Sequence, residues 1–155
     1  MVLNEGEELL GVYRSALQAA SARGYTNIVQ RLLDAGAQVN INNGWRGTAL
    51  IVAARWEHKE IVEKLLNHGA EVNAYGEGYG TALQATSIDG HEEIFQLLIN
   101  AGADHNAEGG MYFTALQAAS QGHENLVQKL LESGADPNTL GGKFGTALQA
   151  AAYYG

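Results

Sequence analysis

The feature that most constrains this chain is a five-residue segment that returns at a nearly fixed spacing. Thr-Ala-Leu-Gln-Ala begins at Thr81, Thr114 and Thr146, and two related segments begin at Ser15 and Thr48. The steps between these starts are 33, 33, 33 and 32 residues. A period of this length that holds along the whole chain is typical of proteins built from stacked structural repeats. The sequence therefore predicts a solenoid.

Each unit carries the signals of two short helices. Thr81 is a suitable N-cap for a first helix, because its hydroxyl can accept a hydrogen bond from an N–H of the first turn. A turn at Gly90 follows, and Glu92 and Glu93 then favour the positive end of a second helix. Helices this short are not stable alone in water, so neighbouring units must cover them. The second helices are expected to end at left-handed glycines, namely Gly36, Gly69, Gly102 and Gly134.

Two units depart from this plan. The fourth unit is one residue shorter, with residues 120–122 where the third unit has residues 87–90, so we expect a tighter turn between its helices. In the second unit, Ile51 and Val52 replace the usual Gln-Ala. The segment 56–58, Trp-Glu-His, replaces the Gly-His turn of the third and fourth units.

These motifs resemble the ankyrin repeats. The resemblance rests on the Ser/Thr-Ala-Leu starts, the Gly-His turns, the Leu-Leu-x-x-Gly-Ala helix ends, and an asparagine that closes each loop at Asn40, Asn73, Asn106 and Asn138. It implies an all-α solenoid of helix–turn–helix units with hairpin-like loops. We expect one array over 1–155, with units near 10–42, 43–75, 76–108 and 109–140 and a partial unit at 141–155. The family's Thr-Pro-Leu-His is here Thr-Ala-Leu-Gln, and we hypothesise that this glutamine bridges the loop by hydrogen bonds.

A narrower resemblance lies in the loops. The pattern Gly-Gly-x-Tyr/Phe-x-Thr-Ala-Leu-Gln-Ala-Ala at 109–119 and 141–151 is similar to the ankyrin arrays of fungal NOD-like receptors. That similarity implies a cytoplasmic, ligand-sensing segment that follows a nucleoside-triphosphatase domain. Because the sequence stops at Gly155, just after a first helix, we expect a fragment of a longer array or a deliberately shortened chain. Residues 1–9 are expected to be a tag, a frayed lead-in or the remnant of a preceding unit.

Composition argues against several classes of protein. There is no cysteine for a disulfide or thiolate site, no apolar run long enough for a membrane span, and no basic segment typical of a secretory signal at the start. The formal charge is −8, and residues 65–155 contain only Lys129 and Lys143 as basic side chains. Nucleic-acid binding is therefore not expected, since phosphates are bound by clustered Lys and Arg. An acidic surface could attract a basic partner or simply aid solubility.

No constellation of residues indicates catalysis. His58, His91 and His123 occupy one turn position in successive units, and packed helices ~8–10 Å apart cannot normally share an ion with ~2 Å bonds. We therefore interpret these histidines as structural. Adjacent carboxylates such as Glu92 and Glu93 point to different helix faces, and the glycine pairs lack the phosphate-loop spacing. The sequence predicts a non-enzymatic protein with no metal and no cofactor.

The ankyrin resemblance implies a protein partner that binds a concave groove lined by loop tips and first-helix ends. Tyr, Trp and Arg dominate binding hot spots. Tyr13, Tyr79, Tyr112 and Phe144 recur at one repeat position, which favours a packing role, whereas Trp45, Arg55, Trp56 and Met111 do not recur and favour specificity. The predicted groove residues are Trp45, Arg46, Arg55, Trp56, Tyr79, Ile88, Asp89, Met111, Tyr112, Phe113 and Lys143.

Two alternatives to a receptor segment stay open. The C-terminal half-unit is expected to expose Leu148, Ala150 and Tyr153, so chains could stack end to end as an architectural scaffold. A designed or consensus-like binder is the other alternative, because the three Thr-Ala-Leu-Gln-Ala copies are identical, although the irregular second unit argues against it.

Overall fold

A computed structural model describes Tyr13, residues 15–42 and residues 45–155. The expected lead-in at 1–9 and the start of the first unit at residue 10 lie outside the described residues. The helices within them are α1 (Ala16–Ala22), α2 (Thr26–Asp34), α3 (Ala49–Arg55), α4 (Lys59–Asn67), α5 (Ala82–Asp89), α6 (Glu92–Asn100), α7 (Ala115–Ala119), α8 (Glu124–Glu132) and α9 (Ala147–Tyr154).

The helices form two layers. The first helices of the units, α1, α3, α5, α7 and α9, pack side by side in sequence order, and each of the first four also packs on the second helix of its own unit. The loops between units carry isolated antiparallel bridges, as between Gly76 and Gly80, and are therefore hairpin-like. The predicted all-α solenoid is confirmed. The exact unit boundaries remain a prediction.

The recurring Thr-Ala-Leu-Gln segment starts the first helices by a reciprocal cap. In α5 the Gln84 N–H donates to Thr81 Oγ1 over 3.3 Å, and the Thr81 N–H donates to Gln84 Oε1 over 2.6 Å. This capping box satisfies donors that a helix start leaves unpaired. It recurs before α1, α7 and α9, where Ser15, Thr114 and Thr146 are the N-caps.

The second helices end as expected. Gly36, Gly69, Gly102 and Gly134 all have φ between +81° and +91°, the left-handed conformation that glycine adopts without steric cost. The core lies between the two helix layers and is most complete in the middle of the array. Leu50, Leu83, Phe95 and Leu98 are all at most 1 % exposed.

The two irregular units differ locally from the rest. The first helix of the fourth unit, α7, has five residues, whereas α5 has eight. The one-residue deletion therefore does tighten the turn before α8. In the second unit, Glu57 takes the turn position of Gly24 and Gly90 and keeps their left-handed backbone, with φ +61°. A side chain with a Cβ is uncommon in this conformation.

The C-terminal end corrects one expectation. Leu148 and Tyr153 are 79 % and 67 % exposed, as expected, but Ala150 is fully buried. The reason is that α9 packs on α7 through this side of the helix. Leucines at the position of Leu148 in the four preceding units are at most 2 % exposed, because a following first helix covers each of them.

Candidate functional site

The loops are held in place by the glutamine of the repeated segment. Gln84 Nε2 donates to the carbonyls of Ala107 and Phe113 over 2.9 and 2.7 Å, while its oxygen closes the helix cap. Gln117 donates in the same way to Thr139 and Gly145, and Gln18 donates to Gly47. The hypothesised bridging role of this glutamine is confirmed. Each loop is thus fixed by the unit before it.

The second unit has no such bridge. Ile51 replaces the glutamine and is completely buried, and a Cβ at Gly47 would collide with its side chain. Apolar packing therefore takes the place of the hydrogen bonds. The helix start at Thr48 keeps the single bond from the Ile51 N–H to Thr48 Oγ1.

Neighbouring loops also contact each other through aromatic rings. A Cβ at Gly78 would collide with the Trp45 ring, and a Cβ at Gly141 would collide with the Phe113 ring. The Gly78 N–H donates to the Trp45 carbonyl over 2.9 Å, and the Met111 N–H donates to the Gly78 carbonyl over 3.0 Å. The loop tips therefore form a continuous stack in which glycines leave room for rings.

Phe113 is an unusual member of this stack. It is half-buried and has φ +73°, at a position where three other units have Gly47, Gly80 and Gly145 in the same left-handed conformation. A bulky residue is strained in that conformation. Its ring packs on Gly141 and Gly142 of the following loop. The structure thus places this predicted groove residue against the backbone of the next loop.

The central contact of the site is made by Arg55 at the end of α3. Its guanidinium lies 5.5 Å from the centres of both the Trp56 and the Tyr79 rings and forms an ion pair with Asp89. The ion pair joins the ends of two adjacent first helices, and Tyr79 comes from the loop that precedes α5. The structure therefore brings together four predicted groove residues.

Arg55 is held there at an energetic cost. Its side chain is 18 % exposed, and its buried Nε has no hydrogen-bond partner among the described residues. Burial lowers the pKa of the Arg55 guanidinium from its ordinary value. Cation–π contacts contribute roughly 0.5–2 kcal/mol each, depending on how far the cation is desolvated. The aromatic rings and Asp89 thus offset the loss of hydration.

A second Arg–aromatic pair lies one unit earlier. The Arg46 guanidinium lies 5.2 Å from the centre of the Tyr13 ring, and its Nη1 donates to the Tyr13 hydroxyl over 2.8 Å. Arg46 occupies the loop position of the recurring aromatics, so the pattern of Tyr13, Tyr79, Tyr112 and Phe144 is interrupted by a cation.

The recurring aromatics also meet near the C-terminal end. Tyr112 and Phe144 stack with ring centres 5.8 Å apart, and Lys143 Nζ lies 5.0 Å from the centre of the Phe144 ring. Tyr153 and Tyr154 pack on Phe144 at 5.0 and 5.3 Å. A hydrogen bond with Tyr112, together with burial, raises the pKa of the Tyr154 hydroxyl. These contacts support the packing role predicted for Tyr112.

The predicted groove residues also differ in how far they are exposed. Trp45, Trp56 and Met111 are 55 %, 45 % and 45 % exposed. Ile88 is half-buried, and its backbone carbonyl lies 2.9 Å from His123 Nε2.

The histidines of the turns are structural, as interpreted from the sequence. Each ring reaches back to a carbonyl near the end of the preceding first helix: His58 Nε2 to Ala22 over 3.2 Å, His91 Nε2 to Arg55 over 3.2 Å, and His123 to Ile88. The described residues contain no cluster of His, Cys, Asp and Glu that could hold a metal ion. None of their helices is long and apolar enough to cross a membrane.

Sequence reasoning missed two parts of this surface. Tyr75 is 43 % exposed, and its hydroxyl accepts a hydrogen bond from the Gly110 N–H over 3.0 Å. Its place one residue before a loop glycine was the available signal. Tyr154 was also missed, because its contact with Tyr112 depends on how α9 is oriented rather than on any local motif.

Comparison with known proteins agrees with this architecture. A family model described as "Ankyrin repeats (3 copies)" matches residues 3–76 and, a second time, residues 76–141. Among curated proteins, none matches the chain significantly. The two family matches cover most of the sequence and contain all but one of the predicted groove residues, Lys143 being outside them. The chain therefore belongs to the ankyrin-repeat family, whose repeats are generally protein-interaction modules without enzymatic activity.

Proposed function

We propose that this chain is a non-catalytic protein-binding module that acts inside the cell as the ligand-sensing repeat segment of a fungal NOD-like receptor. Its protein partner contacts the groove residues, and Arg55, Trp56, Tyr79 and Asp89 form the centre of that contact. The receptor assignment draws on the loop pattern at 109–119 and 141–151.

The observation that carries the proposal is the Arg55 cluster. Hot spots in protein interfaces combine Trp, Tyr and Arg side chains that are already rigid before the partner arrives. Arg55 is fixed by two rings and a carboxylate, while Trp56 keeps 45 % of its surface exposed. A partner that covers Trp56 gains apolar contact area and loses little side-chain entropy.

A photo-crosslinking experiment tests the location of the partner. Trp56 is replaced by a photoreactive benzoylphenylalanine, and the matched control carries the same group at Tyr25, which is 54 % exposed and lies beside α2. Both proteins are irradiated in a fungal lysate. We expect a crosslinked protein that is obtained from position 56 and not from position 25. Equal crosslinking from both positions would contradict the proposal.

The identified protein is then used in a binding measurement. We expect the double variant Trp45→Ala, Trp56→Ala to weaken its affinity at least about thirtyfold, since two hot-spot side chains are removed. The control is Tyr25→Ala, Ile28→Ala, which removes two exposed apolar side chains from the region of α2. If the control weakens binding as much as the groove variant does, the partner does not use the groove.

An alternative proposal is self-association through the C-terminal end. The support for it is the exposure of Leu140, Leu148 and Tyr153 at 74 %, 79 % and 67 %. Light scattering coupled to size exclusion checks it over a wide concentration range. We expect Leu148→Glu to abolish any dimer, and a strictly monomeric unmodified chain would exclude this alternative.

A further inference from the structure

One position of the groove carries a cation where the other units carry aromatic rings. Arg46 lies in the loop before α3, at the repeat position of Tyr13, Tyr79, Tyr112 and Phe144. It is half-buried, its guanidinium lies 5.2 Å from the centre of the Tyr13 ring, and its Nη1 donates to the Tyr13 hydroxyl over 2.8 Å. The positive charge is therefore fixed in place before a partner arrives.

Most of the hydrogen-bonding capacity of Arg46 is unused. A guanidinium carries five N–H donors. The Tyr13 hydroxyl accepts from one of them, and no carboxylate among the described residues forms an ion pair with Arg46. Water can solvate an exposed arginine such as Arg31, whereas a half-buried guanidinium has lost part of its hydration. Arg46 therefore gains more from an added acceptor than Arg31 does.

Arg46 also lies close enough to Arg55 for the two charges to interact. Burial is the main cause of the lowered pKa of the Arg55 guanidinium; Tyr79 and Tyr112 oppose the shift, and the positive charge of Arg46 adds to it. Asp89 forms an ion pair with Arg55. The centre of the groove therefore holds two positive charges against one paired negative charge, in a chain whose formal charge is −8.

The charge balance indicates which anion fits. A carboxylate carries one negative charge, which matches the one unbalanced positive charge, and a guanidinium can bind both of its oxygens side by side. A phosphorylated side chain carries about −1.5 to −2 at neutral pH and would exceed that charge. Glu77 in the next loop is exposed and forms no ion pair with either arginine, so this carboxylate does not already fill the site.

Exposed tryptophan rings accompany both arginines. Trp45 precedes Arg46 and is 55 % exposed, and the Trp56 ring, which is 45 % exposed, lies 5.5 Å from the Arg55 guanidinium. Apolar side chains that cover these rings exclude water from the arginines beside them. An ion pair is stronger where water is excluded, because the effective dielectric constant is lower. The surroundings therefore favour an acidic side chain with apolar neighbours over an isolated anion.

We propose that the groove recognises an acidic peptide segment of its partner, in which an Asp or Glu carboxylate binds the remaining N–H groups of Arg46 and a nearby apolar side chain covers Trp56. The carboxylate offsets the repulsion between Arg46 and Arg55, and the apolar contact provides further affinity. Charge complementarity thus selects which segments bind. The inference rests on the proposed function of the groove and adds to it the chemistry of the partner.

A packing role alone does not require a cation at this position. In the other units a ring stands there, and Tyr112 and Phe144 stack with centres 5.8 Å apart, so an aromatic residue is sufficient to line the groove. Arg46→Tyr therefore introduces the residue type of the other units and removes the charge. Arg31→Tyr is the matched control, because it removes an equal charge from an exposed position of α2.

The probe is a library of random dodecapeptides displayed on phage. The library is selected separately on the unmodified full chain, on Arg46→Tyr and on Arg31→Tyr. We expect the unmodified chain to enrich peptides that carry Asp or Glu near an aromatic or aliphatic residue. This enrichment should be lost on Arg46→Tyr and kept on Arg31→Tyr. The most enriched peptide is then labelled with fluorescein, and its affinity is measured by fluorescence anisotropy.

The affinities of defined variants distinguish recognition from structure. We expect replacement of the peptide's acidic residue by the corresponding amide to weaken binding at least about tenfold, and Arg46→Tyr to weaken it by a similar factor. Combining both changes should cause little further loss, because each removes the same ion pair. Arg46→Lys keeps the charge without the planar fork and should weaken binding less than Arg46→Tyr does. Arg31→Tyr should change the affinity less than about twofold, since salt screens a distant exposed charge.

Three results would overturn the inference while leaving binding at the groove intact. The first is enrichment of peptides without acidic residues whose affinity falls on Trp56→Ala. The second is an effect of Arg46→Tyr that adds fully to the effect of the peptide amide, which would show that the arginine does not contact the carboxylate. The third is tighter binding when phosphoserine replaces the acidic residue, which would assign the site to phosphate.

A different result would contradict the proposed function itself. If neither the double variant Trp45→Ala, Trp56→Ala nor Arg46→Tyr weakens the binding of any selected peptide, the peptides do not use the groove. The inference then fails together with the proposed groove, and the two kinds of failure are distinguished by whether the tryptophans matter.

Discussion

At the scale of single residues, one glutamine does two things in this fold. The oxygen of Gln117 accepts from the Thr114 N–H over 2.9 Å and closes a helix cap, and its amide nitrogen donates to the loop carbonyl of Thr139. Gln149 makes the cap bonds with Thr146, is exposed, and has no hydrogen bond to a loop in the described structure. Gln117 therefore caps a helix and bridges a loop, whereas Gln149 only caps a helix. Comparing the two residues distinguishes the two contributions.

Replacing each glutamine by alanine measures the two contributions. We expect Gln117→Ala to lower the free energy of unfolding by about 2–3 kcal/mol, because it leaves partly buried carbonyls and a buried N–H without partners. Gln149→Ala should cost about 1 kcal/mol or less, the value of a cap. Urea unfolding followed by circular dichroism provides the measurement. Equal losses for the two variants would mean that the bridge adds nothing to the cap.

At the scale of elements, the turn between α3 and α4 is suboptimal. Glu57 holds a left-handed backbone at φ +61°, where Gly24 and Gly90 stand in neighbouring units. The Glu57 carboxylate lies 3.6 Å from His91 Nδ1, but at 71 % exposure such a contact contributes little.

Glu57→Gly is therefore expected to stabilise the protein by about 1 kcal/mol, since glycine removes the steric cost of this conformation. The control is Glu77→Gly, at an exposed loop glutamate whose φ is not positive. That change should be neutral or slightly destabilising, because it only adds freedom to the unfolded chain. Thermal unfolding distinguishes the two, and a destabilised Glu57→Gly would mean that the carboxylate contact outweighs the strain.

The second helices are also linked by exposed ion pairs. A hydrogen bond from Lys59 lowers the pKa of Glu93, and hydrogen bonds from Asn125 and Lys129 lower the pKa of Glu92. A carboxyl group whose pKa is lower in the folded state stabilises it above the unfolded value of 4.5, and this contribution is lost as the pH falls through the folded pKa.

We therefore expect stability to fall as the pH is lowered below 4.5, and the variant Glu92→Gln, Glu93→Gln to show a shallower fall than the unmodified chain. Urea midpoints measured in steps from neutral to acidic pH test this. The matched control is Glu124→Gln, Glu132→Gln on α8, which removes two carboxylates that form no ion pair among the described residues, so the dependence of stability on pH should not change. If stability falls equally steeply with pH in all three proteins, these ion pairs do not stabilise the folded state relative to the unfolded state.

At the scale of the whole molecule, the array is a line of units that depend on their neighbours. The helices α3 and α5 have neighbours on both sides, whereas α9 packs only on α7 among the described first helices. Stability in such arrays is a sum of unit and interface terms. Local stability should therefore be highest in the middle and lowest at residues 151–155.

Hydrogen exchange measures this gradient directly. We expect amides of α3 and α5 to exchange at rates set by global unfolding and amides of α9 to exchange far faster. Leu148→Ala should leave α9 exchange nearly unchanged because the side chain is 79 % exposed, whereas Leu116→Ala should speed it strongly. Uniform protection along the array would contradict this gradient.

The repeated features were predictable from sequence because each is local and recurs. The Thr81 cap, the left-handed Gly102 and the bridging Gln84 follow from short motifs that appear in several units. The Arg55 cluster was foreseen only as a set of residues. Its pairing with Asp89 and Tyr79 depends on how far one unit rotates against the next, and no motif specifies that rotation.

Phe113 illustrates a different limit. Its sequence position suggested a groove residue, and its contact with Gly141, which the sequence did not predict, arises where the left-handed backbone brings the ring against the next loop. Burial of Ala150 was missed for a related reason, since an alanine in an apparently uncovered helix carries no signal of which side it faces.

The glutamine bridges have a consequence for how such a protein can change over time. Gln84 and Gln117 hold the loops only by hydrogen bonds to main-chain carbonyls. Every residue type supplies the same carbonyl group. Substitutions at the loop tips therefore change the chemistry of the surface without removing the carbonyls that anchor the loop. Mutation at Met111, whose side chain is 45 % exposed, can therefore change this surface while the hydrogen bonds that hold the loop stay constant.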